Sequence, residues 1–363
     1  MLLRMMWCRL GFGVFLVMVV TACATVPVAV ESVTLDTLVL HSDSEGKVRA
    51  VEARGLFKEG QEAYTAGRYA ESVEKFVLVA TLFPSTSYVG HAHFNAGLGL
   101  LKLERWEDAI SHFQTARGRL TKHRDRSDAC IHLAAAYEAT KQWAKTVEVL
   151  TQALAIGQLL PVDVVETYAR LGDALYRQGK LADAEDALKK ALEGYRDHID
   201  IPALHQNRHV ARAQYLIGEI YQRLFGSIQF RLPVAAMKRD LTDKSHFFLK
   251  SQSAFMRCIR LRHSYWAVAA GFQLGKLYED FYDHMMASEV PSDMSRDDQG
   301  IYFDELKRYI KPLVVRAIDV YERNIGMSDR LGENGEWAKK TQERLERMRT
   351  ILRTEFKDLE GRP

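Results

Sequence analysis

From about residue 50 onward, apolar residues recur at intervals of three and four, and strand-like alternation is almost absent. That spacing predicts amphipathic helices, each with one buried stripe. The helices come in pairs. Counted from Ala53, Gly90, Ser127 and Val165, at offsets of 37, 37 and 38 residues, the same order of residue types returns. A small residue (Gly60, Gly97, Ala134, Gly172) sits in the first helix, a bulky one (Tyr69, Trp106, Trp143, Leu181) opens the second, and a large apolar one (Phe76, Phe113, Leu150, Leu188) follows within it. Where two helices cross, a small residue lets the backbones approach to about 8–10 Å. The large residue fills the space beside the crossing. No single pair can bury its apolar face, so neighbouring pairs must stack.

The signature returns in altered form. Ile217-Gly218 with Tyr221, and Leu274-Gly275 with Tyr278, repeat the first helix, but second helices are expected only at Lys244–Leu261 and Tyr302–Glu322. Residues 225–243 and 287–301 therefore read as insertions at the same turn, projecting from one edge of the array. A last helix carries Trp337, Leu345, Met348 and Leu352 on one face and Arg, Glu and Lys on the other, as expected of a cap.

These paired helices resemble the tetratricopeptide repeat (TPR), a helix-turn-helix of about 34 residues. The resemblance covers roughly half the chain. It implies an all-α fold, a TPR superhelical solenoid of antiparallel helix pairs with a C-terminal capping helix. Four repeats are expected over residues 47–200, two atypical TPR-like pairs with insertions over 201–325, and a capping helix and tail over 326–363.

The N-terminus reads as an address. Arg4 and Arg9 precede an apolar run from Leu10 to Val20, which is short of the ~20 residues a membrane-spanning helix needs. Val20-Thr21-Ala22-Cys23 then resembles a bacterial lipobox, which implies a signal peptide over 1–22 and a lipidated Cys23. Several acyl chains, each CH₂ worth about 0.8 kcal/mol when buried, would anchor the protein firmly. Ala24, where an Asp would imply inner-membrane retention, directs the expectation to an outer-membrane anchor facing the periplasm. Residues 23–46 read as the lipidated cysteine and a flexible tether that ends at the turn-like Ser42-Asp43-Ser44-Glu45-Gly46.

Composition narrows the function. Of 363 residues 47% are hydrophobic, and the formal charge is +3, falling to +1 if Arg4 and Arg9 are removed with the leader. A near-neutral balance gives no electrostatic case for nucleic acid. Cys130 and Cys258 lie far apart within helical patterns and are expected as buried free thiols. No GxSxG, HExxH or phosphate loop occurs. Gly271-Phe272-Gln273-Leu274-Gly275-Lys276 is too short for a phosphate loop, and its glycines fit the repeat. His91 with His93, and His205 with His209, lack a nearby carboxylate or thiol framework. No catalytic residue, metal site or cofactor is expected, and hence no enzyme.

In TPR proteins the first helices line a concave groove. Carried onto this chain, the groove positions are Arg54, Phe57, Gln61 and Tyr64, then His91, Phe94, Leu98 and Lys102, then Asp173, Tyr176 and Arg177. Glu138, Tyr215, Glu219 and Arg223 extend the line. Phe57 and Gln61 stand where chaperone-binding TPRs carry Lys and Asn, so a carboxylate clamp is not expected. The C-terminal half, with Tyr265-Trp266-Ala267, Tyr321-Glu322-Arg323-Asn324 and Trp337, resembles TPR lipoproteins of deltaproteobacteria and myxobacteria, some of them parts of gliding-motility complexes. The implied function is a periplasmic scaffold that takes envelope proteins or peptides into its groove. Assembly of outer-membrane proteins or pili, and binding or modification of the cell wall, are the alternatives.

Overall fold

The computed structural model describes residues 38–42 and 46–356. The expected signal peptide and Cys23 lie outside the described residues. Among the described residues, thirteen α-helices follow a two-stranded ribbon. The ribbon pairs β1 (Val39–Ser42) antiparallel with β2 (Val48–Val51), Val39 opposite Val51 and Ser42 opposite Val48. The end of the expected tether is therefore a strand. Its inward residues explain this: Val39 and Val51 pack into the core of the first helix pair, while Leu40 points to solvent.

The first four pairs are α1 (Ala53–Thr65) with α2 (Tyr69–Leu82), α3 (Tyr88–Lys102) with α4 (Trp106–Arg119), α5 (His123–Ala139) with α6 (Trp143–Ile156), and α7 (Pro161–Arg177) with α8 (Leu181–Asp197). A short 3-10 turn at Pro202–Leu204 leads to α9 (Arg208–Ser227) and α10 (Val234–Arg260). Then come α11 (Ser264–Met286), α12 (Arg296–Leu331) and α13 (Glu336–Glu355).

The small residues meet the large ones as the pattern requires. A methyl group on Gly97 would fall 2.7 Å from the Phe113 ring, and one on Gly172 would fall 2.5 Å from Leu188. The late pairs keep the crossing: Gly218 faces Phe255, and Gly275 faces Tyr321. What changes is helix length. The expected insertion at 225–243 is mostly helix, because α10 starts at Val234 and runs 27 residues. The one expected at 287–301 shrinks likewise, since α12 starts at Arg296 and runs 36 residues. Lys244 marks the elongated turn. Its ammonium is buried and donates to the carbonyls of Phe225 and Ile228, at 2.9 and 2.7 Å, where α9 ends. Burial lowers its pKa to about 8. The boundary expected between 325 and 326 falls inside α12.

Stacking sets the two faces of the solenoid. The first helices pack on one another, α1 on α3, α7 on α9, α9 on α11, and α11 on α13. The second helices make no comparable contact and instead pack against the next first helix, as α10 does on α11. First helices thus form a continuous inner face, and second helices leave gaps on the outer one. Cys130 and Cys258 are both free and buried.

Candidate protein-binding surface

The expected groove residues all lie on first helices, and the structure separates them by environment. Arg54, Gln61 and Lys102 on α1 and α3 are exposed. Tyr64 is half-buried, edge-on to Tyr69 with ring centres 5.3 Å apart. Phe57 packs between Phe76 and Tyr88, at 5.2 and 5.3 Å, and so joins the first pair to the second. Phe94 does the same between Phe113 and His132, at 5.8 and 5.4 Å. Leu98 leans on the main core. His91 lies 3.7 Å from Asp125 at the next first helix.

Further along, the same face is closed by charge. Arg170, only 4% exposed, donates to Glu138 on α5 at 2.9 Å and to Glu166 at 3.0 Å. Asp173, 1% exposed, receives Arg212 from α9 and lies 3.5 Å from Arg177 on its own helix. Tyr176 is buried and donates to Glu219 at 2.9 Å. Glu219 also accepts from Tyr215 at 2.8 Å and from Gln273 of α11 at 3.2 Å. Arg223 covers the Tyr176 ring at 4.0 Å. At the last turn, Glu279 (1% exposed) accepts from Tyr321 at 2.7 Å, from Arg344 at 3.1 Å and from Arg347, which also reaches Asp283 at 2.9 Å. Of the four expected groove charges on α7 and beyond that this network involves, only Arg177 and Arg223 are exposed.

Electrostatics follow from burial. Burial raises the Glu138 carboxyl pKa against the opposing pull of Arg170. It lowers His132 to about 4, with the Arg170 guanidinium adding to the effect. His209, 3.6 Å from Glu166, is also lowered to about 4, by burial first. Tyr176 and Tyr215 are pushed up by burial and by Glu219. These groups are spread along the stack, and each is matched to a neighbour rather than aimed at a common point. The paired histidines of the sequence are also separated. His93 Nδ1 meets His112 Nδ1 at 3.1 Å, and His205 binds the Ile199 carbonyl at 2.7 Å. Among the described residues, no group of three or more His, Cys, Asp or Glu is placed to hold a metal ion.

Sequence reasoning placed Glu138, Asp173, Tyr176, Tyr215 and Glu219 on the inner face. It missed their partners Arg170, Arg212 and Gln273, and the whole Glu279–Arg347 cluster. One signal was available: charges of opposite sign on successive first helices, at differing places in the repeat.

No curated protein matches the sequence. Among solved structures, the C-terminal part of a TPR repeat-containing protein from Cytophaga hutchinsonii is 12% identical, with a TM-score of 0.45 over 80% of this chain and 93% of that one. YrrB, described as a TPR protein with an unusual peptide-binding site, is 16% identical, with a TM-score of 0.40 over 56% of this chain and 86% of its own. MamA from Desulfovibrio magneticus is 16% identical, with a TM-score of 0.40 over 56% and 94%. At these scores none carries an argument about ligands. Residues 127–197, the span of α5 to α8, match the tetratricopeptide repeat family, and the helix pairs on either side continue the same all-α superhelix, an architecture consistent with a scaffold for protein–protein interaction.

Proposed function

We propose that the protein is a lipid-anchored scaffold of a bacterial envelope. Cys23 carries the lipid, the outer membrane holds the chain on its periplasmic side, and the inner face recruits envelope proteins or peptides into a complex. Gliding motility or a related machine is the setting that the C-terminal resemblance favours, and the chain contributes binding without chemistry of its own.

The observation that carries this reading is the open inner face over α1 and α3. Arg54, Gln61 and Lys102 are exposed there beside half-buried Phe57 and Tyr64. Among the described residues no ion pair or side-chain hydrogen bond joins α1 to α3. Aromatic area flanked by available charge is the composition of a peptide-binding surface.

Crosslinking in native cells, followed by affinity purification, tests the reading. The protein should bring down a small set of envelope proteins. Arg54→Glu with Lys102→Glu, both exposed and therefore harmless to the fold, should lose that set. Cys23→Ser should move the protein from the membrane to the soluble fraction. An unchanged set with the double variant would remove the inner face from the account. Turnover of peptidoglycan by the purified protein would defeat the non-catalytic part.

A further inference from the structure

The outer gaps of the solenoid are usually plain consequences of stacking, but the gap between α10 and α12 has a composition of its own. Its floor is α11. A cavity of about 310 Å³ opens there, with an apolar lining of Met256, Ile259, Leu274, Val320 and Met327. That is the lower end of the range for ligand sites, room for one or two apolar side chains. Residue 271, on the floor, is glycine. A side chain there would collide with Asn324, whose amide nitrogen is committed to the Val268 carbonyl at 3.1 Å and to Thr341 at 2.9 Å. Asn324 Oδ1 is left buried at this floor without a hydrogen-bond partner.

Four arginines border the same cavity: Arg260 from α10, and Arg316, Arg323 and Arg330 from α12. One carboxylate faces them. Asp319 is shared between Arg316 at 2.9 Å and Arg323 at 2.7 Å. Among the described residues, Arg260 and Arg330 have no ion-pair partner. The mouth is therefore strongly positive around an apolar centre, on a chain whose overall charge is close to neutral. Arg323 is the most open of the paired residues, with 74% of its side chain exposed.

The spacing points to the shape of the occupant. Arg316, Arg323 and Arg330 stand seven residues apart along α12, as do Leu313, Val320 and Met327. Seven residues are almost two helical turns, so each set forms a stripe along one side of α12. At about 1.5 Å per residue the arginine stripe is about 21 Å long. Adjacent apolar and charged stripes with a seven-residue period are what a helix presents to another helix packed alongside it. On α10 the exposed Leu249 and Met256 are also seven apart.

We propose that the gap between α10 and α12 is a docking site for an acidic amphipathic helix of a partner protein. The helix lies along α12, inserts one or two apolar side chains between Met256, Leu274 and Met327, and sets carboxylates against Arg260, Arg323 and Arg330. This is helix-in-groove recognition on the outer face, separate from the inner face of the first helices. Charge complementarity selects the partner, and the apolar pocket fixes its register.

Fluorescence anisotropy with a labelled synthetic helix tests this. The probe has about three heptads with leucine at a and d, glutamate at e and g, and alanine or glutamine elsewhere. Glutamate at both e and g keeps the probe from pairing with itself. The protein should bind it saturably, less tightly as salt rises. Arg323→Glu with Arg330→Glu should weaken binding at least tenfold and create binding to the same peptide with lysine in place of glutamate. Arg330→Ala, which has no partner to lose and should leave the melting temperature unchanged, should weaken it severalfold. A peptide with serine for leucine should not bind. The proposal fails if the acidic peptide does not bind, or if the arginine variants bind it as the parent does. It also fails if anionic phospholipid vesicles are captured through these arginines while the peptide is not.

Discussion

The inner face is built in two ways. Across α1 to α5, neighbouring first helices meet through rings: Phe57 against Tyr88, and Phe94 against His132. From α5 onward the same face is joined by carboxylates and guanidiniums, Glu138–Arg170, Asp173–Arg212 and Glu279–Arg347. First helices stack in both halves, but α7, α9, α11 and α13 approach one another more closely than α1, α3 and α5 do, and the rings and the charges occupy different inner-face positions of the repeat. A second difference is whether the next helix offers the opposite charge. Where it does, a residue that would line a groove becomes part of the wall. Where it does not, rings fill the contact and the charges stay in water. The ring-built half thus keeps its inner-face charges in solvent, and the charge-built half commits them to register between pairs. A buried ion pair is often close to neutral for stability overall, yet costly to break from one side.

Removing one side of a pair should give the largest effect. Arg212→Leu leaves Asp173, 1% exposed, with only the more distant Arg177. The expected loss is about 3–5 kcal/mol by urea or thermal unfolding. The double variant Arg212→Leu with Asp173→Leu should recover most of it, because no charge is left buried. A double variant as unstable as the single one would mean that the network stabilises the charged half outright, and the contrast between the halves would need another basis.

Acid should act on the ring-built half through its histidines. His132, stacked against Phe113 at 5.8 Å, has its pKa lowered to about 4 by burial and by Arg170. The folded state thus resists the proton that the unfolded chain accepts near 6.5. Between those values the unfolded chain binds more protons, so stability rises with pH across the window and is lost as pH falls from about 6.5 toward 4. His93 and His112 are lowered as well, in each case by burial first. His132→Phe keeps the ring contact and removes the titration. It should match the parent at pH 7 and exceed it by about 2 kcal/mol at pH 5. Equal losses for parent and variant between pH 7 and 5 would show that His132 takes up its proton without opening the core.

Much of this architecture was legible in the residues, and the gaps have physical causes. The starts at Ala53, Gly90, Ser127 and Val165 and the glycine-to-aromatic crossings follow from a buried stripe, which leaves a period in the sequence. The first turns of α10 and α12 leave none. Residues 234–235 and 296–298 are exposed, so no apolar period marks them. Ser295-Arg296-Asp297-Asp298 did carry a start signal, and Ser295 caps the Asp298 amide at 3.2 Å. The inner-face positions were also readable. Their pairing was not, because it depends on how closely successive first helices approach, and that is a property of the stack. Nothing in the apolar pattern distinguishes Asp173, walled in by Arg212, from an open groove carboxylate.

The smallest effect concerns the turn between the helices of each pair. Its backbone is left-handed in all of the first four, at Gly67 (φ 77°), Glu104 (φ 57°), Lys141 (φ 57°) and Gly179 (φ 77°). A side chain there costs about 1 kcal/mol, because its Cβ crowds the following carbonyl. Glycine avoids that crowding but has more freedom to lose on folding. The crowding should dominate at an exposed turn, where the side chain gains nothing by packing; Glu104 and Lys141 are both exposed. Glu104→Gly and Lys141→Gly should each therefore stabilise by roughly 0.5–1 kcal/mol, and Gly179→Ala should destabilise by a similar amount. The Glu104 turn lies in the ring-built half, and the Lys141 turn lies at its border with the charge-built one, just after Glu138. If the two gains add, the second and third pairs contribute independently, as expected where only the His91–Asp125 contact at 3.7 Å links their first helices by charge. If they fall short of adding, the ring contacts through Phe94 and His132 couple those pairs as firmly as the ion pairs couple the later ones.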